Sequence, residues 1–333
     1  MTPGGRHPRR LIPLVGLAAG FALLGWLLHQ AGLHAVWDRL GALGWTAPLA
    51  LVPFLLVSLV DAHGWRLTLP VRPRVPLGAL LVTRMAGESV NGVTPAAAVG
   101  EPVKAYLLRR WHVPTSDALA SVVISKTALV GSQAVFTALG VPALLWRLGR
   151  PNLAAALLVG LTVACVGFVA VLVWVQHRSP GTALWKLLRR VAPRARLVGR
   201  LEAGSAAFDR RLRDFYRGRP DAFFRATAWH FVGWLIGVAE VTLLVTLLGG
   251  SVSWLDAFII ETLVQPVRAA ALVIPGGIGT QEAGGVWLCR SLGMDEAVAV
   301  AFWLLRRARE TVYDVLGLLY LGHVGGRHAT TGS

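Results

Sequence analysis

Three arginines and a glutamate crowd one apolar stretch: Arg306, Arg307, Arg309 and Glu310. A charge near the centre of a bilayer costs at least ~2.5–3.5 kcal/mol, so such residues mark function by default. Arginine stays charged and presents a planar fork that grips a phosphate in two places. A net-positive cluster at mid-membrane wants an anion, and lipid phosphate is the natural one. Other charges follow a related pattern. Asp117 opens an apolar stretch and Lys126 follows nine residues later; Glu296 opens another and Arg306 follows ten later. Lys126 and Arg306 therefore stand at near-equivalent places. Arg84, Glu88 and Asn91 share one further apolar segment, Glu261 and Arg268 another.

Two short stretches about 180 residues apart interrupt apolar segments. One is Pro95-Ala96-Ala97-Ala98-Val99-Gly100-Glu101, the other Pro275-Gly276-Gly277-Ile278-Gly279-Thr280-Gln281-Glu282. Broken hydrophobic segments at matching places in two halves point to a transport site. The backbone groups they free cannot face lipid and must face protein or a water-filled cavity. Gly276, Gly277 and Gly279 let backbone N–H groups approach an anion, and a helix opening near Gln281 adds a favourable dipole. No Gly-Lys-Ser/Thr follows, so these glycines are not a P-loop. The candidate headgroup-binding set is Arg306, Arg307, Lys126, Arg268, Gly276, Gly277, Gly279 and Glu282. Glu88, Glu101, Glu261, Asn91 and Glu310 are candidates for gating or proton coupling. The plainer reading is two unrelated kinks in a helical bundle, with the charges pairing only to hold it together.

The elements that must position these residues are set by hydropathy. The chain of 333 residues is 55% hydrophobic and 15% charged, well below the roughly 25% charge of soluble domains. Its mean hydropathy is +0.58. Several apolar runs reach the roughly 20 residues that span a bilayer. The expected fold is an all-α polytopic membrane protein. It has about six full spans, near 11–30, 45–65, 117–146, 152–176, 222–248 and 296–324, plus two re-entrant hairpins near 78–112 and 254–292. The first run is read as a retained span, not a signal peptide. Basic residues order the topology. Arg6, Arg9 and Arg10 place the N-terminus in the cytoplasm, as do Arg66, Arg72 and Arg74 for the next loop and twelve cations for 177–221. Arg147 and Arg150 are the exception. The chain reads as one transmembrane domain over 1–333, with a first repeat at 45–146, a basic cytoplasmic interfacial segment at 177–221 and a second, inverted repeat at 222–324. Both termini are expected in the cytoplasm of a multi-pass protein of the cytoplasmic (inner) membrane.

The net charge of +16 would suggest nucleic acid in a soluble protein; here it sits in loops and attracts anionic headgroups, so no nucleic-acid partner is expected. Within 177–221, Leu201, Ser205, Phe208, Leu212 and Phe215 recur at helical spacing, opposite arginines, as in helices that lie in the headgroup plane. Cys165 and Cys289 lie in apolar surroundings and read as small hydrophobes. His63 and His230 lack partners at ligand spacing, no Ser-His-Asp order or Gly-x-Ser-x-Gly elbow appears, and neither a metal, a cofactor nor an enzyme is expected.

The order and spacing of Gly87-Glu88-Ser89-Val90-Asn91, Gly100-Glu101-Pro102-Val103-Lys104, the Asp117 to Lys126 stretch, Pro275-Gly276-Gly277-Ile278-Gly279 with Glu282, and Arg306-Arg307 resemble a known family. It is the flippase-like membrane family that includes the transmembrane domain of lysylphosphatidylglycerol synthases. The resemblance runs from about residue 45 onward. It implies movement of lipids or lipid-linked molecules between leaflets, in a stand-alone member without the aminoacyl-transferase domain. Ala96-Ala97-Ala98 departs from the glycine-rich form of the second break. The leading expectation is translocation of an anionic or lipid-linked molecule, with membrane lipids as partners. A homo-oligomer or a partner in a lipid-export pathway is a further expectation; the alternatives for function are an accessory membrane subunit in lipid, hopanoid or polysaccharide export and a membrane enzyme that modifies a lipid headgroup.

Overall fold

The computed structural model describes residues 22–70, 72–94, 99–191, 196–270 and 279–330. Most of the expected first span, the break residues Pro95 to Ala98, and Pro275, Gly276, Gly277 and Ile278 lie outside them. Every regular element among the described residues is helical. They are α1 (22–31), α2 (Leu33–Gly41), α3 (Val52–Thr68, preceded by a 3-10 segment from Gly44 to Leu51), α4 (Leu77–Val93), α5 (Gly100–Leu107), α6 (Thr115–Arg147), α7 (Pro151–His177), α8 (Pro180–Val191), α9 (Arg196–Gly218), α10 (Pro220–Leu247), α11 (Trp254–Ala270), α12 (Thr280–Ser291) and α13 (Glu296–Thr330). Three are long and apolar enough to cross a membrane by length and composition: Gly44–Thr68, Thr115–Arg147 and Pro220–Leu247. The charges that fill α13 keep it below that measure of apolarity. Near the first expected break α4 and α5 are separate helices, and near the second α12 begins with Gly279 at its N-cap; residues 95–98 and 271–278 lie outside the described residues. α4 stops at Val93 and α5 starts at Gly100; α11 is described to Ala270 and α12 starts at Thr280.

The chain divides into two compact units. The first holds residues to Leu55, Glu88–Gly100 and Ile236 onward; the second holds Leu56–Gly87 and Glu101–Leu235.

In the first unit α12 packs against α11 and α13, and α2 against α13. Small residues make this possible. A Cβ on Gly285 would fall 2.0 Å from the Trp303 ring, and one on Gly284 would fall 2.6 Å from Val267. Arg39 of α2 donates to the carbonyl of Leu248 at 3.2 Å and so closes the end of α10, where orphan carbonyls and the helix dipole favour a cation.

In the second unit α6 is the central strut, in contact with α7 and α9. It turns Ala120, Ile124 and Ala128 toward Leu212 and Phe215 of α9 and Ala222, Phe223 and Ala226 of α10. The apolar face of α9 therefore docks on protein over its C-terminal half, although the spacing alone suggests a helix lying in the headgroups. Tyr216 ties the layers together: its hydroxyl donates to Gln176 at 2.7 Å, and Gln176 donates to Thr127 at 2.6 Å. Burial pushes the Tyr216 phenol up, so it remains a donor. α8 is capped from α9. The Asp209 carboxylate accepts the N–H groups of Gly181 and Thr182, each at 2.8 Å, in the manner of an N-cap. Leu184, Leu187 and Leu188 of α8 remain exposed while Trp185 is buried.

Candidate functional site

The first unit concentrates its charges in one place. α13 brings Arg306, Arg307, Arg309 and Glu310 within little more than one turn; α10 adds Glu240, α11 adds Glu261 and Arg268, and α12 adds Glu282. Arg306 donates to Glu261 at 2.7 Å and lies 3.6 Å from Glu240. Arg309 pairs with Glu240 as well. Arg307 donates through Nε to Glu282 at 2.6 Å and lies 3.3 Å from Glu310. Arg268 donates to Glu310 at 3.0 Å. Four arginines meet four glutamates. The positive excess read from the α13 run is thus matched, and Glu240 completes the match.

Local sequence explains why these side chains hold their places. Gln265, one turn after Glu261, donates to the Glu261 backbone carbonyl at 3.1 Å and to its carboxylate at 3.3 Å. Gly237 permits the approach of α11, because a Cβ there would lie 3.0 Å from the Glu261 carboxylate. Glu282 does two jobs. One oxygen takes Arg307; the other accepts the Gly279 N–H at 2.7 Å, reaching back to the start of α12 as in a capping box. Gly279 takes φ +82, a backbone conformation suited to glycine. The guanidinium of Arg306 lies over Phe302 and Trp303, and that of Arg309 over Phe54. Such faces stabilise a desolvated cation.

Exposure separates the network into two layers. The side chains of Arg306, Arg309, Glu240, Glu261 and Glu282 are 2–3% exposed, whereas Arg307, Arg268 and Glu310 are 23%, 27% and 21% exposed. Arg268 and Arg307 form the more exposed layer, and Glu310 bridges those two cations from within the chain. On α4, Glu88 and Asn91 lie in the same unit. Asn91 lies 3.5 Å from Glu88 and accepts the Gly100 N–H at 2.7 Å, while a Cβ on Gly92 would lie 3.1 Å from the Asp314 carboxylate of α13.

Lys126 and Glu101 fall in the second unit, where they pair at 3.3 Å, and Lys104 joins Glu101 at 3.0 Å. Asp117 pairs with Arg211. Of the headgroup candidates, Arg268, Gly279, Glu282, Arg306 and Arg307 come together; Gly276 and Gly277 lie outside the described residues.

One constellation escaped the sequence reading. Asp61 accepts from Arg84 on one oxygen and faces His230 Nδ1 at 2.7 Å on the other, and His230 Nε2 lies 3.3 Å from the Ser125 hydroxyl. The carboxylate only accepts, so Nδ1 carries a proton. This is Ser-His-Asp connectivity, assembled from α6, α10 and α3. Ser125 sits inside a continuous helix, so nearby N–H groups are spent in that helix and supply no oxyanion donors. Gly64 permits the close approach of α3 to the His230 ring, where a Cβ would lie 3.1 Å away, and no spacing in the sequence signals that meeting. Among the described residues no group of three or more His, Cys, Asp or Glu could hold a metal ion.

Comparison with known proteins places this geometry. No solved structure matches the chain. A UPF0104 membrane protein of Methanothermobacter thermautotrophicus is 24% identical over 237 residues, covering 67% of this chain and 68% of that protein. The family model of the lysylphosphatidylglycerol synthase TM region matches residues 14–317, and the chain belongs to that family.

Proposed function

We propose that this protein moves a phosphate-bearing lipid between the leaflets of a membrane. The observation that carries the reading is the Arg268–Glu310–Arg307 layer, partly exposed, above a fully buried ion network. Glu310 bridges two guanidinium groups much as a phosphate would. A lipid phosphate entering the layer replaces the carboxylate as bridge, keeping both arginines paired while the tails stay in the bilayer. The exchange of one anion for another avoids leaving a buried charge bare, which is the costly state. Glu282 links the layer to the start of α12, so a change at Arg307 reaches the second break.

In this reading 78–112 and 254–292 are re-entrant hairpins in an inverted repeat of about six spans. The helix ends at Val93, Gly100 and Thr280 support it. Glu88, Glu261 and Glu310 are the carboxylates available to couple movement to protons. We read the chain as a transporter and not an enzyme, because its Ser-His-Asp line lacks anion-stabilising donors. The family, named for the membrane region of a lipid-modifying synthase, supports a lipid as cargo.

Reconstitution tests the proposal. Liposomes containing the purified protein and a headgroup-labelled phospholipid should expose label to a membrane-impermeant quencher faster than protein-free liposomes. Arg307→Ala should abolish that gain with the protein still folded. Equal rates with and without protein would refute lipid movement. Wild-type rates in the Arg307 variant would remove this layer from the account.

A further inference from the structure

The second unit carries a cavity of about 400 Å³ at the C-terminal end of α3. Three arginines line it, Arg66, Arg74 and Arg219, with Leu69, Pro70 and Pro73 among its apolar wall. It shares no residue with the arginine–glutamate network.

The three cations are not equivalent. Arg219 donates to the carbonyls of Leu69 at 2.8 Å and Leu67 at 3.1 Å. Leu67 belongs to the last turn of α3 and Leu69 directly follows it, where carbonyls lack helical partners and carry the negative end of the dipole. Arg219 is thereby fixed, and its charge is partly offset. Arg66 and Arg74 are exposed, and among the described residues neither is ion-paired to a carboxylate. Like charges gathered at one concavity repel, and an anion between them relieves that repulsion. Guanidinium forks match the oxygens of phosphate. Pro70 and Pro73 restrict the backbone of the wall, so little freedom remains to be lost on binding. The volume is near the lower end for small-ligand sites, room for a phosphate with a glycerol- or sugar-sized group.

We propose that this cavity binds a phosphate group esterified to a small polar alcohol, held by Arg66 and Arg74 with Arg219 as the fixed third cation. Two sources present that chemistry: the headgroup of an anionic phospholipid and a soluble phosphomonoester. The site goes beyond the translocation reading, and its test reads binding alone.

The full chain, purified in a detergent with a neutral headgroup, is titrated with glycerol 3-phosphate by calorimetry. In a second arm it is placed in nanodiscs of phosphatidylglycerol or phosphatidylcholine, and retained lipid is counted by native mass spectrometry. Saturable binding of glycerol 3-phosphate assigns a soluble ligand; selective retention of phosphatidylglycerol without it assigns a headgroup. In whichever arm binds, R66Q/R74Q should weaken binding at least about tenfold, equivalent to about 1.4 kcal/mol. R189Q/R190Q on α8 removes the same charge elsewhere and should leave binding unchanged. The thermal midpoint of each variant checks its fold. If the glutamine pair does not fold, R66K/R74K keeps the charge and removes the fork, and should still weaken binding. Absence of saturable binding in both arms, undiminished binding in the cavity variants, or an equal loss in the α8 variant would each overturn the proposal.

Discussion

Adjacent arginines on α13 have different tasks, and exposure tells them apart. The Arg306 side chain is 3% exposed and held between Glu261 and Glu240. Removing one partner of a buried pair leaves the other charge unmatched, at a cost of about 3–5 kcal/mol. Arg306→Ala should therefore lower the thermal midpoint in detergent sharply, and Glu261→Gln should recover part of that loss in the double variant. Arg307 is 23% exposed and paired with Glu282 and Glu310. Its replacement by alanine should cost far less stability and, if the proposed function holds, should abolish lipid movement. A stable Arg306→Ala protein beside an unfolded Arg307→Ala protein would reverse the assignment. Gly285 gives a third test at this scale. A methyl group there would collide with Trp303, so Gly285→Ala should destabilise by at least about 1–3 kcal/mol, read by the same midpoint.

Among the elements, α8 depends on a neighbour for its first turn. Asp209 of α9 accepts two backbone N–H groups and the Thr182 hydroxyl of α8. Loss of such a cap costs about 1 kcal/mol, up to about 2. Asp209→Ala should speed hydrogen exchange in Pro180–Val191 while α6 stays protected; equal exchange in both proteins would show that Asp209 does not hold α8. Capping of this kind also marks the limit of what the sequence discloses. Hydropathy located Gly44–Thr68, Thr115–Arg147 and Pro220–Leu247, and the Pro95 and Gly279 signals fall next to the helix ends at Val93, Gly100 and Thr280. These signals are local, written into consecutive residues. The match between Glu240 and Arg306 is not, nor is the approach of Asp61 to His230, 169 residues away. Helical periodicity gives a residue's face but not the helix it meets. The cation run on α13 was therefore legible while its fourth carboxylate was not. For α9, amphipathic spacing identified the buried face correctly but not its cover, because a protein surface and a lipid surface select the same residues.

At the scale of the whole molecule, the arrangement across the membrane follows from one helix. α10 has 28 residues, about 42 Å of helix, which exceeds a hydrocarbon core of roughly 30 Å. Its two ends must therefore emerge on opposite faces if it spans. One end joins α9, with Arg210, Arg211, Arg213 and Arg217; the other opens into uncharged Gly249-Gly250-Ser251. Cations are retained on the cytoplasmic side, so the expected orientation has the α9 end inside and Ser251 outside. Replacing Cys165 and Cys289 by alanine and introducing single cysteines makes this testable. An impermeant maleimide added to intact cells should label Ser251→Cys directly, and Glu202→Cys only after the membrane is opened. Labelling of both positions from the same side would mean that α10 does not span. That result would rule out the proposed inverted repeat, because the second half would then no longer run opposite to the first. Labelling as expected fixes the orientation of α10, on which the proposed opposition of the two halves depends.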